Sequence, residues 1–198
     1  MTLALGSVLL LCFGLNACAQ SSGPTTIEEE MAQVNRIAAE KYPDLPIEEA
    51  RLLVARERNQ SRMMKHGIDN QQVLAAISFY TLYRANTSIR SNYCSEVGVD
   101  VSPFVAAFRK EHAIELSKAD SIFRESGNDF DEDWRALRPA AEVVINDSMH
   151  QLASQRGTDA AGACSLFADN PDEVTMLLRY EDMYPEDHKI LLSHEAEG

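Results

Sequence analysis

Two cysteines carry the clearest chemistry in this chain. The sequence holds four in all, but Cys12 and Cys18 fall in the amino-terminal apolar region, which leaves Cys94 and Cys164 in the body. A metal or redox pair needs close spacing such as C-x-x-C, and these two stand far apart. In an oxidising compartment such a pair persists as a disulfide. The expected bridge closes a loop of about 70 residues, for which the chain-entropy model gives about 4 kcal/mol as an upper figure.

The histidines offer less. His66, His112, His150, His188 and His194 form no H-E-x-x-H and no close Cys/His cluster. His188 and His194, with Asp187 and Glu195, are metal-ligand types close in sequence, but their segment reads as a tail and a metal site needs rigid support. His112 follows Glu111 on an expected helix, where adjacent residues do not face each other, so it reads as a surface or partly buried histidine. No G-x-S-x-G, S-x-x-K or glycine-rich phosphate loop occurs. No metal and no cofactor is expected. Paired carboxylates can hydrolyse glycosidic bonds, yet with 31 Asp and Glu residues the sequence selects no pair.

Asp129, Asp131 and Asp133 alternate and resemble the opening of an EF-hand calcium loop. The resemblance ends at Trp134, where that loop needs Gly, and at Ala140, where it needs a bidentate Glu. These acids read instead as negative charge at a helix amino terminus. A second candidate lies further up the chain, where Arg84, Asn86, Thr87, Arg90 and Tyr93 follow a strongly apolar stretch. Arg84, Thr87 and Ser91 share one face at i, i+3, i+7, with Tyr80 a turn before, and partial burial of that face would let Arg84 and Tyr80 form a polar groove. That face is the candidate binding groove, and its alternative is the solvated stripe of an amphipathic helix.

Leu3 to Leu15 is almost wholly apolar and is followed by small residues, the layout of an export signal. It is shorter than the roughly 20 residues a membrane anchor needs, and Met1 to Ser7 lacks the usual basic residue. Ala17-Cys18-Ala19 offers an A-x-A cleavage before Gln20, leaving a soluble protein. Leu15-Asn16-Ala17-Cys18 resembles the lipobox of bacterial lipoproteins, although Asn16 departs from the usual residue there; that resemblance implies a lipid on Cys18. Both routes stay open. Each places the mature chain in the periplasm or outside the cell. The expected organisation is an export signal over 1–19, a flexible linker over 20–25, a helical domain over 26–184 and a tail over 185–198.

Helical spacing dominates the rest. Thr26 and Glu29 form a capping box, after which Ile27, Met31, Val34 and Ala38 recur at helical intervals. A second helix starts near Pro46 with Ile47, Ala50 and Val54 as its buried stripe, and Gly67 stops it. The third, capped by Asp69 or Asn70, runs to Gly98, and its Val73–Tyr83 half is the most apolar mature stretch and therefore central. Ser102-Pro103 starts a fourth that buries Phe104, Val105, Phe108, Leu116 and Phe123 before Gly127. A fifth must kink or restart at Pro139, buries Val143, Val144 and Leu152, and ends at Gly157. A short helix carries Cys164, and Asn170-Pro171 starts a last one. No segment alternates with period two. The fold class is all-α: a single bundle of six to seven helices with one disulfide.

A net charge of -13 argues against nucleic acid and anionic membrane as main partners and suits a basic protein. A membrane association would run only through Cys18. Asn59-Gln60-Ser61, Asn86-Thr87-Ser88 and Asn146-Asp147-Ser148 match the glycosylation sequon but fall in expected helices, so they read as coincidence and favour a bacterial envelope. The chain thus reads as a periplasmic helical protein that binds another macromolecule, as an accessory or assembly factor or as an inhibitor or immunity-type protein. The alternatives are a cell-wall hydrolase with two carboxylates and a small-ligand carrier, which would need an apolar cavity among the helices.

Overall fold

The computed structural model describes residues 27–63 and 67–195. The expected export signal and linker, with Cys18, and His66 lie outside the described residues.

The described chain is all-helical, as the spacing predicts. Its helices are α1 (Ile27–Lys41), α2 (Ile47–Met63), α3 (Ile68–Arg84), α4 (Arg90–Glu96), α5 (Ser102–Glu111), α6 (Ala113–Ser126), α7 (Phe130–Arg156), α8 (Ala160–Asp169), α9 (Pro171–Leu177), α10 (Tyr180–Met183) and α11 (Pro185–Leu192). A π-helical turn, Ala85–Ile89, joins α3 to α4. There are more segments than the six or seven expected, because long runs are broken by tertiary contacts that spacing does not report.

Several ends follow the local signals. Gly127 and Gly157 close α6 and α7 in the left-handed conformation, with φ of 68° and 62°, where a residue without Cβ carries no steric penalty. Asp129 caps α7 by accepting the Asp131 N–H at 2.8 Å. This is the helix-terminus role, and Asp131 itself turns to Arg84. Other ends differ. The N-cap of α3 is Gly67, with no side-chain cap, so neither Asp69 nor Asn70 serves. Pro139 lies inside α7 without restarting it.

The main core gathers around α3, whose Ala75, Ala76, Phe79 and Leu82 are all buried. Small residues at 75 and 76 let neighbouring helices approach, and Phe79 fills the centre, with the Tyr180 ring edge-on at 5.3 Å. Phe104, Phe108 and Phe123 are buried as expected, whereas Val143 faces solvent on α7 and Val144 and Ile145 take the interior. The α1–α2 hairpin has its own small core of Val34, Ala38, Ala50 and Val54; Ile47, assigned above to that stripe, is exposed. Tyr42 ties the hairpin by donating to Glu57 at 2.7 Å.

The expected fourth helix is two helices, broken at His112 with φ -96° and ψ 23°. The imidazole explains the break. It stacks on Phe108 at 4.2 Å, its Nδ1 meets the Phe108 carbonyl at 3.0 Å, and its Nε2 accepts the Tyr180 N–H at 3.2 Å. One donor and one acceptor describe a neutral ring, and burial, the largest cause, lowers its pKa. The proton balance follows. Unfolded chains take up this proton below about pH 6.5 while the folded ring resists it, so stability is complete above that pH and is lost as pH falls toward the depressed folded value. We expect ring-nitrogen NMR to show His112 still neutral at a pH where an exposed histidine is protonated, and unfolding titrations to show stability declining over the same window.

Residues 185–195 do not trail as a tail. Pro185 starts α11, and Leu191 is fully buried against the main core. His188 meets Glu115 of α6 at 3.1 Å, His194 meets Glu125 at 3.2 Å, and Lys118 donates to the His194 carbonyl at 2.5 Å. The two histidines bind separate carboxylates, and among the described residues no group of three or more potential metal ligands assembles.

Candidate functional site

The disulfide organises the region where unusual chemistry collects. Cys94 of α4 and Cys164 of α8 are bonded, with Cα atoms 5.5 Å apart. One turn away, Arg90 of α4 lies over the Phe167 ring of α8, its guanidinium carbon 4.7 Å from the centroid. Position 90 precedes 94 while 167 follows 164, so α4 and α8 run antiparallel across this contact and the covalent rung clamps the cation–π rung beside it.

Arg90 is wholly buried. Its Nη1 donates to the Asn86 side-chain oxygen, and Asn86 in turn donates to the Leu82 carbonyl at 2.9 Å. Its Nε and Nη2 have no hydrogen-bond partner among the described residues, and no carboxylate pairs with it. Burial pulls the guanidinium down to about 9, which leaves it cationic at neutral pH. A buried charge is ordinarily paired, so this side chain is held in the core at a cost, offset in part by the Phe167 face.

The π turn explains why Arg90 faces inward. It places one residue more in a turn than an α-helix does, which rotates everything after it by about 100° relative to α3. The face expected from i, i+3, i+7 spacing is therefore split. Thr87 back-bonds to the Tyr83 carbonyl at 2.8 Å, Ser91 is half-buried beyond the turn, and the two residues before it are engaged within the molecule. Arg84 pairs with Asp131 at 2.6 Å and lies 5.1 Å from the Phe130 ring centroid. Tyr80 donates to Asp120 and stacks on Phe130 at 4.7 Å; its burial first, then Asp120, raises the phenol pKa. These contacts join α3 to α6 and α7.

An open pocket of about 200 Å³ lies between α7, α8 and α9. Leu152, Leu166, Phe167, Val174 and Leu177 form its apolar wall, and Arg156, Asn170 and Glu173 its polar rim. Phe167 thus belongs both to the pocket and to the Arg90 contact. Arg156 and Glu173 are exposed and have no ion-pair partner among the described residues. Glu173 is the single carboxylate lining this pocket, so no acid pair of the glycosidase kind meets there.

Sequence reasoning missed both features. The Asn86–Arg90 spacing was visible as polar residues in one helix, but its inward turn depends on the π segment. The pocket joins residues from 152 to 177, and only the packing of three helices brings them together.

The fold and pocket define an all-helical, disulfide-stapled protein with a small apolar recess. Comparison with protein-family models, with curated proteins and with solved structures finds no match to the chain.

Proposed function

We propose that this protein recognises another macromolecule in the bacterial envelope without transforming it, and that the α7–α8–α9 pocket is the point of contact. The observation that supports this reading is the size and lining of that pocket. Small-molecule sites commonly occupy about 300–1,000 Å³. This one, at about 200 Å³ with five apolar wall residues, suits a single side chain inserted from a larger partner. Leu177, a wall residue on α9, is 45% exposed, so apolar area reaches the mouth. The net charge of -13 favours a partner that is basic overall through long-range attraction. The export signal expected over 1–19 puts this contact in the periplasm or outside the cell, tethered if Cys18 carries a lipid.

The test uses Leu177→Asp, a change at an exposed wall position that leaves the core intact. Immobilised protein should capture a discrete partner from envelope extract, and the variant, with an unchanged melting temperature, should lose it. Equal capture by both would move the contact elsewhere.

A further inference from the structure

We propose that the α7–α8–α9 pocket receives the carboxyl-terminal residue of a partner chain, with an apolar side chain against Phe167 and the free carboxylate on Arg156. This inference rests on the reading of the pocket as the contact point. Charge carries it further. Arg156 lines the pocket without an anionic partner among the described residues, although Glu173 lines the same pocket. Behind the wall, Arg90 lies 4.7 Å from the Phe167 centroid, fully buried and with two guanidinium nitrogens unpartnered. In a protein of net charge -13, Arg156 is thus a rim cation that pairs with none of the described acids, and the buried Arg90 behind Phe167 is weakly screened by solvent. A carboxylate is the complement.

The remaining rim group fits the same ligand. The peptide N–H of a terminal residue donates, and the Glu173 carboxylate accepts. One terminal residue therefore engages the wall by its side chain, Arg156 by its carboxylate and Glu173 by its amide, a mode in which the chain end gives specificity. An internal side chain would fill the wall and leave Arg156 without an anion.

The experiment compares two probes on the full protein with its disulfide intact: a short Gly/Ser peptide ending in leucine with a free carboxylate, and the same peptide as its carboxyl-terminal amide. A charge-assisted contact at an exposed arginine should make the acid bind roughly tenfold more tightly. Arg156→Gln, a surface change whose folding is checked by its melting temperature, should bring the two affinities together. Equal binding of acid and amide by the unaltered protein overturns the terminal-carboxylate inference and leaves the pocket as a receptor for apolar side chains. Absence of saturable binding by either probe, together with no partner lost in Leu177→Asp, overturns both.

Discussion

Replacing Cys94 and Cys164 together by alanine should lower the unfolding free energy by about 4 kcal/mol and the melting temperature by roughly 10 °C. The bond spans a sequence separation of 70 residues, so its loss returns a large loop's freedom to the unfolded chain. The native state loses more than a link. Cys94–Cys164 is the rung next to Arg90–Phe167, and without it α4 is free to slide on α8. Denaturant titration of the oxidised protein against the double variant measures the difference. A loss below about 1 kcal/mol would mean that strain in the folded state cancels the loop term.

Arg90→Met should leave stability unchanged or raise it by about 1–4 kcal/mol, the range seen when buried ionic groups give way to apolar side chains of similar volume. Methionine keeps an unbranched stem and fills an irregular space. It also removes a cation whose Nε and Nη2 lack partners. The gain is held down by Asn86, whose side-chain oxygen loses its donor. Arg90→Ala gives the contrast, because an empty core volume costs about 2–5 kcal/mol. Melting temperatures of the two variants separate charge from packing. A methionine variant several kcal/mol less stable would show the guanidinium to be a net support of the fold. A stabilised one with weaker ligand binding would identify Arg90 as a residue kept for recognition at the expense of stability.

The difference between the expected and observed binding face has one cause. Tyr80, Arg84, Thr87 and Ser91 line up only if the helix is α throughout. The π turn at Ala85–Ile89 breaks that phase, and no residue type among Ala-Asn-Thr-Ser-Ile announces it. Arg84 then finds Asp131 and Tyr80 finds Asp120, partners 40 or more positions away. The acids around Asp129 were legible, because a cap needs only its own first turn. The break at His112 was not, because it depends on Tyr180, 68 residues further on.

Taken alone, the amino-acid order determined the helical class, the glycine stops at 127 and 157, the central place of α3 and the pairing of the two remaining cysteines. Each depends on short-range periodicity, on a single φ angle or on counting thiols. Tertiary packing decided the rest: the inward turn of Arg90, the docking of residues 185–195 and the meeting of α7, α8 and α9 around Phe167. Those outcomes depend on which distant surfaces exclude water together, and a buried charge or a recess exists only once they have done so.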